Sequence, residues 1–336
     1  MKIFILGING FIGNALARRL VASQKVEVSG VDINSYNIED LKKKKNFFFY
    51  KLDVFKAQNK IENILKKSDV VIPLVAIATP NVYVKDPLRI FRLDFESNLE
   101  IIKLCAKYRK RIIFPSTSEV YGMCNDKYFD EKKSKFILGP INKPRWIYSC
   151  SKQLLDRVIL AFTEQKSIKS TIFRPFNWIG PKLDSLKEAQ LGNGRVLSIF
   201  INNILRNKNL HLVNGGNQSR SLTYIDDGID ALEKIIFSDS KKINGEIFNI
   251  GNPKNNISIK DLASKIIYIY NLKSNKKYKG KIVTKTEKEF YGSGYQDIEF
   301  RLPSISNAKN KLKWSPKNNL NNSLNKTLDY YLDKND

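Results

Sequence analysis

The 336-residue chain holds 58 Lys and Arg against 33 Asp and Glu, a net charge of +25, with 42% hydrophobic residues. No apolar run is long enough to span a bilayer, the three cysteines (Cys105, Cys124, Cys150) have no metal or disulfide spacing, and a single histidine, His211, makes a zinc site or a serine triad a poor fit. The positive charge is spread over the chain with one dense run, Lys42–Lys45, and no basic-aromatic interleaving or nucleic-acid motif. We therefore expect solvated faces that help attract an anionic substrate and no nucleic-acid partner.

The first half alternates apolar runs with helical periods, which predicts a parallel, Rossmann-like, doubly wound α/β sheet. Expected strands are Lys2–Leu6, Val26–Val31, Phe47–Lys51, Asp69–Pro73, Arg111–Pro115 and Ser170–Phe173. Expected helices are Phe11–Ala22, Lys56–Leu65, Pro87–Tyr108 and Pro144–Glu164. The apolar start reads as a buried strand, not a signal peptide, because glycine-rich turn chemistry follows at once; this places the protein in the cytoplasm. Composition changes after Pro175. We expect a nucleotide domain over 1–175 and a smaller substrate domain over 176–336. Within the latter, Asp226–Phe237 reads as a helix and Gly245–Ile250 as a strand, so about 222–251 returns to the first sheet. Ser258–Tyr270 and Leu320–Leu332 read as further helices.

Gly7, Gly10 and Gly13 join the first strand to the first helix, with Phe11 and Ile12 opening that helix. Such a turn lets a pyrophosphate approach the backbone and the helix N-terminus. A plain strand-to-helix turn needs the same glycines. Asp32, about twenty residues on, ends the second strand where a carboxylate binds both ribose hydroxyls and repels a 2′-phosphate, so NAD is favoured over NADP. Asp53 and Val54 end the third strand, placed either for the adenine edge or, for Asp53, as a helix cap.

Small residues follow the fourth strand (Val75–Pro80), and Phe114–Gly122 follows the fifth. Both stretches lie where open α/β sheets bind ligands. Tyr148 and Lys152 are four apart, on one helix face. An ammonium beside a phenol lowers its pKa, giving a candidate base for an alcohol proton. Thr117 would share that hydrogen bond.

This combination resembles the extended short-chain dehydrogenase/reductase family of nucleotide-sugar enzymes over essentially the whole chain. Val75–Pro80, Phe114–Cys124, Asn142–Lys152, Phe173–Pro181 and Tyr291–Ser304 are similar to the decarboxylase domains of ArnA-type bifunctional polymyxin-resistance proteins. The resemblance implies NAD-dependent oxidation of UDP-glucuronic acid at the sugar C4, then decarboxylation to a UDP-4-keto-pentose. It also implies a place in aminoarabinose modification of lipid A. Glu119 is implied as a proton acceptor and Arg301 as a proton donor; a guanidinium barely deprotonates, so we read Arg301 as gripping the carboxylate or orienting a water. A turn carboxylate and a surface charge are the plain alternatives for these two. By the same resemblance, UDP-sugar contacts fall on Ala78, Tyr83, Thr117, Ser118, Arg145, Asn177, Arg220 and Tyr295. Tyr83 and Asn177 read equally as packing or turn residues.

Ser118 cannot supply the acid of a 4,6-dehydratase, which has an Asp-Glu pair there. His211 stands where the family has a lysine that contacts the nucleotide, and Tyr224 where it has an aspartate. No formyltransferase domain is expected ahead of the first strand. Related enzymes pair through two long helices, so a homodimer is the expectation. Two other readings compete: a UDP-xylose synthase, which reduces the ketone again, and an NAD-sensing protein without turnover.

Overall fold

The computed structural model describes residues 1–333. Its centre is a seven-stranded, all-parallel sheet. The strands and crossovers are β1 (Lys2–Leu6), α1 (Phe11–Ala22), β2 (Glu27–Asp32), β3 (Phe47–Lys51), α2 (Gln58–Lys66), β4 (Val70–Pro73), α3 (Pro80–Lys85), α4 (Pro87–Ile90), α5 (Ser97–Lys107), β5 (Arg111–Pro115), α6 (Ile147–Glu164) and β6 (Lys169–Pro175). Then come the small strand β7 (Trp178–Ile179), α7 (Leu186–Gln190), α8 (Val196–Leu205) and a second small strand, β8 (Leu210–Val213). Next are β9 (Ser219–Ser221), β10 (Thr223–Tyr224), α9 (Ile225–Phe237) and β11 (Glu246–Ile250). The strand order is β11-β6-β5-β4-β1-β2-β3. β11 joins the sheet by pairing in parallel with β6, Phe248 opposite Phe173.

The apolar runs explain this layer structure. Strands covered on both faces read as continuous hydrophobic runs. β1 sends Ile3 and Ile5 into the core beneath α1 and α9, with Leu16, Leu20, Ile229 and Ile236. Phe4 and Leu6 enter the opposite core, with Ile102, Leu155 and Ile159. β3 is the edge, and there only Phe47 is buried while Phe48 and Tyr50 stay exposed. Because all seven strands run the same way, residues 7–10, Asp32, Asp53, 74–79, 116–119 and 176–177 all leave the sheet at one edge. The order reverses between β1 and β4, which opens a crevice there.

The expected Pro87–Tyr108 helix is interrupted. α4 passes into a π-helical turn, Phe91–Glu96, before α5 resumes. Side chains take up carbonyls that the altered register releases. Ser97 Oγ donates to the Leu93 carbonyl at 2.6 Å, and Asn98 Nδ2 donates to those of Leu93 and Asp94 at 3.2 Å each. The same Asn98 amide reaches the Val75 carbonyl at 3.2 Å, tying the turn to the loop after β4.

The remaining chain builds a second core. α8, α10 (Ile259–Lys273) and the helix Leu320–Leu332 pack Phe200, Ile204, Leu262, Ile266, Leu324 and Leu328 together. α8 was not foreseen: its ten residues are apolar almost all round, so no one-faced period marks it. Nor was the parallel pairing of β8 with Ile282–Lys285, which sets His211 opposite Val283. Among the described residues no helix is long and apolar enough to cross a membrane.

Candidate active site

The glycine turn is built by steric exclusion. Gly7 has φ +78°, and a Cβ there would lie 3.0 Å from the Leu74 carbonyl carbon and the Val75 nitrogen. A Cβ on Gly13 would sit 2.3 Å from the Gly7 oxygen and 2.8 Å from the Ile8 Cα. Gly10 caps α1 without any side-chain hydrogen bond, and no acidic residue stands in the first turn. The first N–H groups of α1 are therefore open to an anion. Replacing Gly13 with Ala should lower stability by about 1–3 kcal/mol in urea unfolding and weaken NAD binding in calorimetry; wild-type values for both would refute this account of the turn.

Asp32 accepts from the Asn9 and Asn34 amides at 3.0 and 3.2 Å, and burial raises its pKa above the usual aspartate range. Its position at the end of β2, beside the turn, suits a ribose. Asp53 accepts from Phe55 N at 2.9 Å, and its own carbonyl accepts from Lys56 and Ala57. That carboxylate closes a local turn and does not cap α2, whose N-cap is Ala57 with no side-chain hydrogen bond; Val54 is half-buried beside Asp53.

At the end of β5, Thr117 accepts from Glu119 N at 3.2 Å and starts the 3₁₀ turn Ser118–Tyr121, in which all four side chains are buried. Lys152 Nζ donates to the Pro115 carbonyl at 3.1 Å, fastening α6 to the tip of β5. Tyr148, one turn before Lys152, stacks on Tyr83 with centroids 4.7 Å apart and planes 10° from parallel. α3, which carries Tyr83, begins at Pro80, where the small-residue stretch Val75–Pro80 ends. Ala78 is exposed at its entrance.

The electrostatics differ from the expectation. Tyr148 was expected to be acidified by Lys152, yet burial pushes its phenol well up. The charges of Asp94 and Glu119 push the same way, and the Thr117 hydrogen bond opposes them. Burial also lowers Lys152, with Asp94 and Asp156 opposing. Low-dielectric packing thus dominates at this phenol in the protein alone.

Glu119 sits in the 3₁₀ turn, but its carboxylate is buried against two arginines, and Arg301 is buried too, not a surface charge. Arg145 Nη2 donates to Glu119 Oε2 at 2.9 Å and Arg301 Nη1 to Oε1 at 3.2 Å. Arg145 is 0% exposed and Arg301 6%. Burial alone would raise the Glu119 pKa, but Arg145, Arg301 and Arg220 together hold it below the ordinary value. Burial and the neighbouring Arg220 and Arg145 lower Arg301, against Glu119 and Asp297. Three buried donors of this clamp, Arg145 Nε, Arg145 Nη1 and Arg301 Nε, have no hydrogen-bond partner among the described residues.

The Tyr291–Arg301 stretch wraps this clamp. Tyr295 stacks on Tyr291 at 4.0 Å, with the Arg145 guanidinium 5.4 Å from its ring. Its hydroxyl donates to Asp297 Oδ1 at 3.1 Å, an oxygen that Arg220 Nη2 also reaches at 2.7 Å. Trp146 Nε1 donates to Gln296 Oε1 at 3.0 Å. Asn177, at φ +42°, turns the chain out of β6 and uses its carbonyl to hold Thr223 N. His211 lies on β8 in the second core's small sheet, its buried Nδ1 without a hydrogen-bond partner among the described residues, and burial with Lys285 lowers its pKa.

Sequence reasoning missed Asp94, a 0%-exposed carboxylate whose charge reaches Tyr148, Tyr83 and Lys152. The signal was present: Ile90, Asp94 and Asn98 recur at helical spacing on a buried stripe, where two polar residues are out of place.

Residues 3–251 match the family described as the NAD dependent epimerase/dehydratase family. Among solved structures, the PbgP3 protein of Burkholderia pseudomallei is 43% identical, with TM-score 0.89, covering 98% of this chain and 96% of that one. A UDP-glucuronic acid 4-epimerase from Bacillus cereus, solved with UDP-glucuronic acid and NAD, is 26% identical, with TM-score 0.80 over 99% of this chain and 100% of that one. A UDP-glucose 4-epimerase from Thermotoga maritima, 24% identical with TM-score 0.83 over the full length of both chains, shares the fold. The glycine cradle, the uncapped helix start and Asp32 fit the cofactor that this family description names, and the chain belongs to the NAD dependent epimerase/dehydratase family, whose extended Rossmann-like architecture it has.

Proposed function

We propose that the protein oxidises UDP-glucuronic acid at C4 and decarboxylates it to a UDP-4-keto-pentose, as ArnA-type decarboxylase domains do. The observation that carries this reading is the buried Arg145–Glu119–Arg301 clamp, with three unfilled guanidinium donors, next to Tyr148 and Lys152. Buried guanidinium groups with free donors are receivers for a carboxylate. Neutral nucleotide sugars bring none. The likeness to a UDP-glucuronic acid 4-epimerase supports the same substrate class.

When bound, NAD supplies the hydride acceptor and, through its oxidised ring, positive charge beside Tyr148. Gly7, Gly10, Gly13 and Asp32 would hold it. Tyr148 takes the C4 hydroxyl proton, with Thr117 sharing the hydrogen bond and Lys152 stabilising the phenolate. The product is a β-keto acid. Loss of carbon dioxide places an electron pair on the C4 oxygen, where the Tyr148 and Thr117 hydroxyls stabilise it. Glu119, ionised between its arginines, is a weak base; its charge near the substrate carboxylate favours shedding that charge as carbon dioxide. Arg301 stays protonated and orients the group that returns a proton to carbon. That proton balances the one taken by Tyr148, so the net products are carbon dioxide, NADH and the keto sugar. In this reading Ala78, Tyr83, Ser118, Asn177, His211, Arg220 and Tyr295 line the UDP-sugar path.

Incubation with UDP-glucuronic acid and NAD tests this by NADH absorbance and product mass. Equal yields of NADH and a sugar nucleotide lighter by carbon dioxide and two hydrogens are expected. UDP-xylose without net NADH would replace this reading by the synthase one, and NAD binding without carbon dioxide release would remove catalysis from it.

A further inference from the structure

Asp156 of α6 and Arg174 of β6 form an ion pair, 2% and 1% exposed, that takes no part in the chemistry proposed for Tyr148 and Glu119. Arg174 Nη2 donates to Asp156 Oδ2 at 2.9 Å. The same oxygen accepts from Ser116 Oγ at 2.8 Å. The second terminal nitrogen, Arg174 Nη1, donates to the Tyr121 hydroxyl at 2.8 Å. Asp156 Oδ1 and Arg174 Nε have no hydrogen-bond partner among the described residues.

As a device for stability this geometry is poor. A guanidinium and a carboxylate bind best through two parallel hydrogen bonds. Here one bond joins them, and a buried atom on each side goes unmatched. A buried pair gains little over hydrocarbon of the same volume, and each orphaned polar atom costs free energy. What the orientation achieves is reach: one carboxylate oxygen holds Ser116 and Arg174 together, and the other guanidinium nitrogen is turned to Tyr121.

Ser116 and Tyr121 bracket the turn that carries Thr117 and Glu119. α6 touches the same turn at two further points. Lys152 Nζ donates to the Pro115 carbonyl at 3.1 Å, and Gln153 Nε2 to the Val120 carbonyl at 2.7 Å. Asp156 lies one helical turn beyond Lys152 and two beyond Tyr148 on that helix. The chain of hydrogen bonds runs on from Tyr121, whose hydroxyl donates to Asn249 Oδ1 at 2.8 Å. Asn249 Nδ2 donates in turn to the Phe129 and Ser304 carbonyls at 2.8 and 3.3 Å, beside the segment that bears Arg301.

We propose that Asp156 and Arg174 are positioning residues: through Ser116 and Tyr121 they hold both ends of the turn, and so set Thr117 and Glu119 against Tyr148 and Lys152 on the helix that carries Asp156. This rests on the dehydrogenase reading of Tyr148 and Lys152. Loss of either hydrogen bond loosens one end of the turn and lets Thr117 drift from the Tyr148 hydroxyl.

Ser116→Ala and Tyr121→Phe each remove one of these hydrogen bonds and leave the ion pair whole, whereas Asp156→Ala would strand a buried guanidinium and put folding at risk. Two measurements on the NAD-bound protein test the proposal. In hydrogen exchange read by mass spectrometry, the segment 117–121 should exchange faster in both variants, with the glycine turn before α1 unchanged. In single turnovers with UDP-glucuronic acid, the rate of NADH formation should fall about tenfold or more, toward the ~10²-fold that a misplacement of about 1 Å costs, while NAD affinity holds. Ser116→Thr, which keeps the hydroxyl, should restore most of the rate. Unchanged exchange, an unchanged rate, or a rate lost together with NAD affinity overturns the proposal, the last because it marks a general loosening of the fold. A wild-type protein that forms no NADH refutes the dehydrogenase reading instead, and the exchange measurement still decides whether the pair holds the turn.

Discussion

Tyr148→Phe should lower the rate of NADH formation from UDP-glucuronic acid by roughly 10²–10⁴-fold, the usual worth of a positioned general base, while NAD binding and stability stay close to wild type. The substitution removes one hydroxyl and keeps the ring, so the stack on Tyr83 survives. The lost oxygen is the one bonded to Thr117. Because burial, Asp94 and Glu119 all hold the wild-type phenol protonated, oxidation should also speed up as pH rises through neutrality. Single-turnover absorbance with saturating NAD, repeated across pH, reads both effects. A variant with more than about a tenth of wild-type activity would lie outside the range for a lost base and would take the role away from Tyr148.

The strands and the glycine turn were legible because their signals are local. Lys2–Leu6, Phe47–Lys51 and Arg111–Pro115 have the observed bounds, being apolar runs ended by turn residues. The site was legible in its residue types but not in its charges. Tyr148 and Lys152 can be placed on one face from spacing alone; whether burial or the ammonium wins depends on what packs around them, and Asp94, Glu119 and Tyr83 come from three other segments. The Arg145–Glu119–Arg301 contact joins residues up to 182 apart in sequence, so spacing could not reveal it. The π-helical turn was hidden for another reason: an extra residue in a helical turn leaves the apolar period nearly intact, and only the polar pair Asp94 and Asn98 betrays it. α8 escaped because seven of its ten residues are apolar, which leaves only a narrow polar strip to mark a period.

Glu119→Gln is expected to destabilise the protein by about 3–5 kcal/mol in urea unfolding, the cost of removing one partner from a buried ion pair. The glutamine oxygen can still accept from one guanidinium, but its NH₂ group then points donors at the donors of the other. Two buried positive charges are left without a counter-ion. The wild-type pKa of Glu119 is depressed, so its stabilising contribution is complete above the ordinary glutamate range, near about 4.3, and is lost as pH falls through its lower folded value. The stability gap between wild type and variant should therefore be widest near neutrality and close in acid. UDP-glucuronic acid should raise the melting temperature of the variant more than that of wild type, because a substrate carboxylate can take the place of the missing charge. UDP-glucose, with a hydroxymethyl group at that position, should give the variant no such advantage. An equal rise with both sugars would show that the clamp does not read the carboxylate and would leave oxidation by Tyr148 without its decarboxylating partner.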